Sequence, residues 1–433
     1  MAEEIKLTPL ETFAQAISAS AKTIATYCRD SGHPQLSDDN SSGLTGDVLP
    51  PSAPQAVTAA RQTILEASYR LQQLVTEPSQ YLPRLTVYPQ HLAALRWLCH
   101  FRIPELIPVQ GTRTYYELAT EAKVPLHQLQ SIARMAITGS FLREPEPNIV
   151  AHSRTSAHFV ENPSLRDWTL FLAEDTAPMA MKLVEATEKW GDTRSKTETA
   201  FNLALGTDLA FFKYLSSNPQ FTQKFSGYMK NVTASEGTSI KHLVNGFDWA
   251  SLGNAIVVDV GGSTGHASIA LAESFPDLKF IVQDLPMVTS TSKDNREKTP
   301  LPETVASRIS FESHDFFKPQ PVQNADVYLL RMILHDWSFK EAGEILANLV
   351  PSVKQGARIL IMDTVLPRHG TVPVTEEALL RVRDMTMMET FNSHEREIDE
   401  WKDLIQGVHT GLRVQQVIQP AGSSMAIIEV VRG

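Results

Sequence analysis

Residues 255–286 carry the clearest chemical pattern in the chain, because two acidic residues flank a cluster of glycines. A short β-branched apolar run leads to Asp259, and Gly261, Gly262 and Gly265 follow at once. Apolar residues at helical spacing come next, and a second apolar run ends in Asp284. This order predicts strand, glycine turn, helix and strand, which is half of a nucleotide-binding α/β fold. The glycines allow a ligand to approach the helix N-terminus, and Asp284 is placed to bind two ribose hydroxyls.

The spacing of these glycines differs from the G-x-G-x-x-G fingerprint of dinucleotide-binding proteins. Asp259 precedes the glycines, at the end of the first predicted strand. A carboxylate in that place repels a pyrophosphate and favours a ligand with cationic groups. S-adenosylmethionine (SAM) fits, since it carries an ammonium and a sulfonium group and no phosphate. The alternative is a glycine turn that merely links a strand to a helix, but the position of Asp284 favours the ligand site.

Four motifs in order resemble one family. They are D-V-G-G-x-T-G, Q-D-L-P, L-R-M-I-L-H-D-W and F-N-S-H-E-R-E. Together they resemble the class I methyltransferases, and within them the plant-type and fungal small-molecule O-methyltransferases. The resemblance runs from about Tyr88 to the C-terminus, and the wording R-M-I-L-H-D-W is similar to that of fungal members.

The resemblance implies further residues of a SAM site. In Q-D-L-P, Leu285 follows the ribose-binding acid. Family members carry G-D-F-F where this chain has His314-Asp315-Phe316-Phe317, so Asp315 would accept from the adenine amine and Phe316 would cover a ring face. Arg331 matches a family Lys or Arg near the cofactor. The alternative for Asp315 is an acid that only forms a turn after a strand.

A catalytic base is the second implication of the resemblance. Methyl transfer to a hydroxyl requires that the oxygen lose its proton, and an imidazole such as that of His335 has a suitable pKa. The family places acids around this histidine, and Asp363 and Glu395 match their positions. A lone histidine beside an apolar run is more often structural, and acids after strands are common, so each residue also has a purely structural alternative.

Two helical regions are expected to form the wall of the acceptor pocket. In the family, the regions corresponding to residues 164–190 and 197–231 roof the acceptor, and we select Asp175 and Met179 there. The predicted helix 381–392 carries a second set at i, i+3, i+6 and i+7. This set is Met385, Met388, Phe391 and Asn392. Packing inside the helical core is the alternative for all of them.

The N-terminal part is predicted to be helical. Apolar residues recur every three or four positions over residues 7–28 and again over 57–75, and a polar linker separates them. We expect no core between these two helices, so they need a partner surface, and the resembling family dimerises through such helices. Residues 91–150 follow the order helix, helix, helix, wing of a winged helix. The predicted domains are 1–87, 88–160, 161–245 and 246–433.

Composition excludes several classes of protein. The 433 residues carry a formal net charge of −10, which argues against nucleic acid or an anionic membrane as partner. Two cysteines indicate no disulfide framework. The N-terminus has acids where a signal peptide needs basic residues. These features predict a cytoplasmic protein.

The sequence thus predicts a seven-stranded, doubly wound Rossmann-like α/β sheet with a helical N-terminal dimerisation part that includes a winged helix. The expected activity is SAM-dependent methylation of a hydroxyl on a secondary metabolite, an aromatic polyketide or alkaloid, by a homodimer without a metal. One rival is a pericyclase that uses bound SAM without consuming it, although such members often lose the histidine that this chain keeps as His335. The other is a winged-helix DNA regulator, which the acidic charge and the cation-poor helix 126–138 oppose.

Overall fold

A computed structural model describes residues 7–36, 47–290 and 300–432 of the chain. The acidic N-terminal residues 1–6 and part of the predicted linker, residues 37–46, lie outside the described residues. The chain forms two compact units. The first comprises Met1–Ala177, Asn218–Met229 and Pro373–Thr375, and the second comprises Pro178–Ser217, Lys230–Val372 and Glu376–Gly433.

A seven-stranded sheet organises the second unit. The seven strands are β4 (Ile256–Val260), β5 (Lys279–Asp284), β6 (Ile309–Ser313), β7 (Val327–Arg331), β8 (Arg358–Asp363), β11 (Leu412–Ile418) and β12 (Ala426–Arg432). Their order in the sheet is β11-β12-β8-β7-β4-β5-β6, and the strands β8, β7, β4, β5 and β6 run parallel. The chain moves outward from β4 to β6 and then returns to β7 on the other side of β4. The topological switch therefore lies between β4 and β7, where open α/β sheets bind their ligands.

The parallel strands are apolar at successive positions because both faces of the sheet are covered. In β7, Tyr328 and Leu330 pack in one core cluster, and Val327 and Leu329 pack in another. The two clusters lie on opposite faces, since side chains alternate along a strand. β12 pairs antiparallel with both β8 and the edge strand β11. The predicted fold class, including the reversed edge pair, is confirmed.

In the first unit, the two N-terminal helices form a hairpin with a small core. Helix Pro9–Ser31 begins with a capping box at Thr8. It packs on Gln55–Val75 through buried side chains of both helices and the segment between them. These side chains are Ile24, Cys28, Leu49, Val57 and Ala60. The expectation that these helices lack a shared core is therefore wrong: Leu49, in the segment read only as a polar linker, supplies part of the apolar contact.

The rest of the first unit combines helices with a small sheet. Helices Val87–His100, Tyr115–Ala122 and Leu126–Thr138 pack around one apolar core. The sheet has the order β1-β3-β2, with strands β1 (Thr112–Thr114), β2 (Leu142–Glu146) and β3 (Ile149–His152). The hairpin of β2 and β3 lies where the sequence places a wing, and the name winged helix stays a prediction.

The remaining elements connect these parts. Two short strands, β9 (Val365–Leu366) and β10 (Arg396–Glu397), pair in parallel. The other described helices are Tyr81–Leu85, Arg154–Glu161, Ser164–Phe171, Ala177–Ala180, Leu183–Trp190, Ala200–Leu205, Phe211–Ser217, Pro219–Ala234, Lys241–Gly246, His266–Ser274, Glu303–Ala306, Phe339–Leu349, Val374–Phe391 and Ile398–Val408. In the part of the chain that the structure describes, no helix has the length and apolarity needed to cross a membrane.

Candidate active site

His335 lies in a turn directly after the central strand β7. The strand ends at Arg331, Met332 adopts a positive φ of 55°, and a 3-10 turn covers Leu334–Asp336. The next helix, Phe339–Leu349, begins behind a capping box at Ser338. The sequence suggested that the strand runs into a helix at this point. The structure instead places His335 in the connecting turn, at the carboxyl end of the parallel sheet.

Three carboxylates surround the imidazole of His335. Its Nδ1 lies 3.0 Å from Glu395 Oε1. Its Nε2 lies 3.7 Å from Asp336 Oδ1 and 3.9 Å from Asp363 Oδ1. The ends of β7 and β8 and the start of β10 bring these residues together. The structure thus unites the three residues predicted to be catalytic, and it adds Asp336.

Burial and neighbouring charge change the pKa of three groups in this cluster, His335, Asp363 and Asp336. Burial lowers the pKa of His335, but the charges of Glu395, Asp363 and Asp336 outweigh burial and raise it to about 10. Burial raises the pKa of Asp363 to about 7 and that of Asp336 to about 6. His335 is therefore a stronger base than an ordinary histidine, because its protonated form is stabilised by neighbouring negative charge.

One oxygen of each of two acids remains unused by hydrogen bonds in the described part of the protein. Asp363 Oδ2 accepts from the backbone N–H of Leu334 at 3.1 Å, whereas Oδ1 is buried and has no hydrogen-bond partner there. Glu395 accepts through Oε1, while its buried Oε2 likewise lacks a partner. Buried carboxylate oxygens of this kind are costly unless a ligand or a proton satisfies them.

The turn of His335 is held by residues that sequence reasoning missed. The fully buried guanidinium of Arg396 donates to the carbonyl oxygens of Leu334 at 2.9 Å and Trp337 at 2.6 Å. The hydroxyl of Ser393 has one proton to donate, and its Oγ lies within hydrogen-bond distance of the carbonyl oxygens of His335 at 2.7 Å and Trp337 at 2.9 Å. Both residues lie in the motif F-N-S-H-E-R-E, close to Glu395. This closeness in sequence to a predicted catalytic acid was the signal that could have indicated them.

The glycine turn after β4 is packed too tightly for a side chain. At Gly261, which has a φ of 74°, an added Cβ would lie 2.6 Å from Ile333 Cδ1. At Gly262 it would lie 2.5 Å from Asp259 Cγ, and at Gly265 2.8 Å from the ring of Phe311. The turn after β4 and the turn after β7 therefore meet at the topological switch.

The two acids of the glycine motif lie on either side of this turn. Asp259 is buried, accepts from Ser268 Oγ at 2.7 Å, and has its pKa raised to about 6 by burial. Asp284 accepts from the backbone N–H groups of Ser263 at 2.9 Å and Leu285 at 2.7 Å. Both acids are thus held close to the glycines by local hydrogen bonds.

The other residues predicted to bind the cofactor differ in their surroundings. Phe316 packs edge-on against Trp337, with ring centroids 5.8 Å apart. Asp315 accepts from the backbone N–H of Phe317 at 3.0 Å, as a turn-forming acid does. The side chain of Leu285 is about half exposed. Their contacts with a cofactor stay predictions.

The partly buried guanidinium of Arg331 is close enough to the glycine motif and to the His335 cluster to interact with acids of both. Its Nη2 donates to the carbonyl oxygen of Thr238 at 2.8 Å, and its buried Nε has no hydrogen-bond partner in the described ranges. The charges of Asp259 and Asp363 both act on Arg331 and oppose the lowering of its pKa by burial. Arg331 therefore interacts electrostatically with an acid of the glycine motif and an acid of the His335 cluster.

The residues predicted to contact the acceptor are dispersed. Asp175 lies in the first unit, where its buried carboxylate is 2.5 Å from Lys224 Nζ. In the second unit, Met179 is buried, whereas Met385 and Met388 are each 46% exposed. Phe391 stacks on Phe212, and Asn392 donates to backbone carbonyls. None of these facts tests an acceptor role, which stays a prediction for all six residues.

Comparison with known proteins identifies the family. Residues 188–409 match the family model described as the O-methyltransferase domain. Residues 7–76 match that of the trypacidin cluster transcriptional coactivator tpcD N-terminal domain. The chain is 44% identical to the O-methyltransferase aurJ of Gibberella zeae over 426 residues, which is 96% of both chains. It belongs to the O-methyltransferase family.

Solved structures share the fold of this O-methyltransferase. LepI in complex with SAM matches with a TM-score of 0.72 and 23% identity, over 97% of this chain and all of the other. A structure described as a pericyclic reaction enzyme matches with a TM-score of 0.73, at the same identity and coverage. The enzyme is thus a SAM-dependent O-methyltransferase by family, and the LepI structure shows this fold with SAM bound.

The residues of the glycine turn fit SAM. The three glycines leave a cradle that any Cβ would fill, Asp259 presents a buried carboxylate near it, and Asp284 ends the neighbouring strand. This donor set is acidic and therefore suits a cation rather than a phosphate. Asp259 and Asp284 would hold the cofactor's polar groups, with the ring of Phe316 close to Gly261.

Replacing Asp284 with Ala is expected to weaken the binding of S-adenosylhomocysteine by roughly 1.5–3 kcal/mol, the usual worth of hydrogen bonds to a charged group. Isothermal titration calorimetry measures this directly. Asp277→Ala, which removes an exposed carboxylate between the same helix and strand, is the matched control and should bind like the wild type. Equal affinity in the Asp284 variant would remove this residue from the ribose site.

The stability of the protein should depend on Glu389, because burial raises the pKa of its carboxyl to about 7. The folded state therefore holds this proton more tightly than the unfolded state, whose pKa is near 4.5. The resulting loss of stability grows from pH 4.5 to about 7 and persists above. Glu389→Gln should thus gain about 1–3 kcal/mol over the wild type at pH 8 and nothing at pH 4. Urea denaturation at both pH values measures the difference.

The control for Glu389 lies on the same helix. Glu377 is also buried, but it accepts hydrogen bonds from the backbone of Gly370 and from His369, and these lower its pKa. Glu377→Gln should therefore lose stability at pH 8, opposite in sign. A Glu389→Gln protein that is no more stable than wild type at pH 8 contradicts the assignment of a buried, uncompensated carboxyl.

Proposed function

We propose that this enzyme methylates a hydroxyl group of a small-molecule secondary metabolite, an aromatic polyketide or an alkaloid, and that His335 is the general base. The observation that carries the proposal is the ring of three carboxylates around His335, built at the carboxyl end of β7 next to the glycine turn. A strongly polarised imidazole at the ligand-binding end of this sheet is suited to remove a proton from an acceptor.

The geometry favours Nε2 as the nitrogen of His335 that takes the proton. Nδ1 is engaged with Glu395 at 3.0 Å, so the neutral imidazole is expected to donate its Nδ1–H to that carboxylate. Nε2 is farther than a hydrogen bond from both Asp336 and Asp363, at 3.7 and 3.9 Å. Nε2 therefore carries the lone pair that accepts the hydroxyl proton, and Asp336 and Asp363 stabilise the imidazolium that forms.

The raised pKa of His335 suits a phenolic acceptor. A phenol has a pKa of about 10, so a base with a pKa of about 10 takes its proton with little change in free energy. When bound, SAM supplies an electrophilic methyl group on a positively charged sulfur. The role of His335 is to remove the proton of the acceptor hydroxyl and leave an oxyanion. Because the pKa of His335 is raised, only a minor fraction of the imidazole is neutral near pH 7.

The alternative function is that of a pericyclase, an enzyme that can have the same fold. The sequence comparisons favour the O-methyltransferase family instead. The pericyclic reaction enzyme is 23% identical to this chain, which concerns architecture alone, whereas the O-methyltransferase relative is 44% identical. The two reactions differ in their products, because only methyl transfer converts SAM to S-adenosylhomocysteine. Incubation with SAM and a panel of hydroxylated aromatic polyketides and alkaloids, followed by mass spectrometry of both products, separates them.

We also propose that the enzyme is a homodimer. Support comes from large apolar side chains on the surface of the second N-terminal helix and the segment after it. Leu74, Val75, Tyr81 and Leu82 are each more than half exposed. A second copy of the chain that covers them would remove this apolar surface from water.

His335→Ala is expected to lower kcat by about 10²–10⁴-fold at neutral pH while leaving SAM affinity unchanged. His335→Gln should behave in the same way, because an amide cannot take the proton. In the wild type, kcat/KM should rise with pH through a limb above 7, since the carboxylates raise the pKa of the base. The defect of both variants should shrink as pH approaches the acceptor's own pKa. A wild-type enzyme that forms product without S-adenosylhomocysteine refutes methyl transfer.

Leu74→Glu combined with Leu82→Glu is expected to convert the dimer to a monomer, because charge on the covered apolar surface costs desolvation. Sedimentation velocity at micromolar concentration measures the mass. Gln72→Glu adds a negative charge to the same helix at an exposed polar position and should remain dimeric. A wild-type protein that sediments as a monomer ends this proposal.

A further inference from the structure

Lys196 completes the support of the turn that carries His335. Arg396 and Ser393 already hold three of the four carbonyl oxygens in this turn. The fourth, that of Asp336, accepts from Lys196 Nζ at 2.9 Å. Four consecutive carbonyls are thus bound by side chains from outside the turn, which restrains the backbone on both sides of the imidazole.

Each donor of the Lys196 ammonium has a partner. Besides Asp336, Nζ donates to the carbonyl oxygen of Phe391 at 2.8 Å and lies 3.2 Å from Glu341 Oε2. The cation also lies over the ring of Trp337, 5.0 Å from its centroid. The side chain is only 18% exposed. A lysine with three polar partners and an aromatic ring is held in one position, unlike an ordinary surface lysine.

The same contacts attach the segment around Lys196 to helix Val374–Phe391. Asn392, at the end of that helix, donates its amide to the carbonyl oxygens of Ser195 at 2.7 Å and Glu198 at 3.1 Å. Beyond Glu198, Phe212 stacks on Phe391 at 5.5 Å between ring centroids. Residues 195–198 are therefore held between the His335 turn and the helix on which acceptor-contacting residues are predicted.

We infer that Lys196 is a positioning residue, which fixes the His335 turn relative to residues 391–392 and supplies positive charge beside Asp336. The inference deepens the proposed function, on which its catalytic meaning rests. Lys196 contacts neither reacting atom. It acts through the carbonyl of Asp336, whose side chain faces His335, and through the carbonyl of Phe391.

The charge of Lys196 belongs to a larger set around His335. Negative charge comes from Asp336, Asp363 and Glu395, and Glu341 pairs with Lys196 itself. The cations that act on these acids are Lys196 on Asp336, Arg396 on Asp363 and Glu395, and Arg331 on Asp363. Removal of one positive charge leaves more net negative charge on the cluster, and this favours the protonated imidazole.

The experiment compares Lys196→Met, which removes the charge at similar length, with Lys196→Arg, which keeps it. Lys189→Met is the matched control, because Lys189 is an exposed lysine over the ring of Trp190 on a neighbouring helix. Hydrogen exchange reports the backbone of residues 334–337 and 392–393. The ¹⁵N chemical shifts of the His335 imidazole report its titration between pH 7 and 10.5. These signals are assigned by their absence from the spectrum of the His335→Gln variant.

In Lys196→Met, the backbone amides of residues 334–337 and 392–393 should exchange at least about 10-fold faster than in the wild type. The pKa of the His335 imidazole should be about half a unit or more higher than in the wild type. Lys196→Arg should keep the wild-type titration while its amides exchange at an intermediate rate. Lys189→Met should match the wild type in both. With an acceptor identified, kcat of Lys196→Met should fall about 10–100-fold with the Kd for S-adenosylhomocysteine unchanged.

Unchanged exchange and titration in Lys196→Met overturn the inference. If Lys196→Met does not fold, hydrogen exchange is measured in Lys196→Arg and Asn392→Ala instead. Exchange rates equal to those of the wild type in both variants also overturn the inference. Neither measurement requires turnover, so the result stands apart from the methyl-transfer proposal. A wild type that transfers methyl while Lys196→Met behaves like it refutes the positioning role alone.

Discussion

The interaction on which the site depends is the charge balance around His335. One imidazole and three carboxylates are placed where water is largely excluded, and burial of such groups is costly unless they are paired. The partial compensation comes from Arg396 and Lys196, which also donate to the backbone of the same turn. Two of the groups that balance the charge, Arg396 and Lys196, therefore also help to fix the geometry of the turn.

The sheet decides where this cluster forms. β7 and β8 are parallel neighbours, so His335 and Asp363, which follow or end these strands, reach the same edge. β4 pairs with β7 on the other side, so the glycine turn arrives at the same place. The close approach of Gly261 to Ile333 shows how little space separates the two turns. The glycine turn and His335 are thus adjacent as a consequence of strand order.

Much of this could be predicted from local sequence. The strand before Asp259, the helix from His266 and the strand ending at Asp284 follow from apolar periodicity and glycine placement, which depend on near neighbours. Asp363 and Glu395 were found only through the resemblance to a family, because nothing in their local sequence connects them to His335. Their distances depend on strand pairing across 28 and 60 residues.

The sequence by itself determined the element types of the sheet domain and the order of its motifs, since these depend on periodicity and on residue type. Only the tertiary structure decided that Asp336 joins the cluster, that Ser393, Arg396 and Lys196 hold its turn, that the two N-terminal helices share a core, and that Met385 and Met388 are half exposed. Such contacts join residues far apart in the chain, and their formation depends on the packing of whole elements, for which no short stretch of sequence carries a signal.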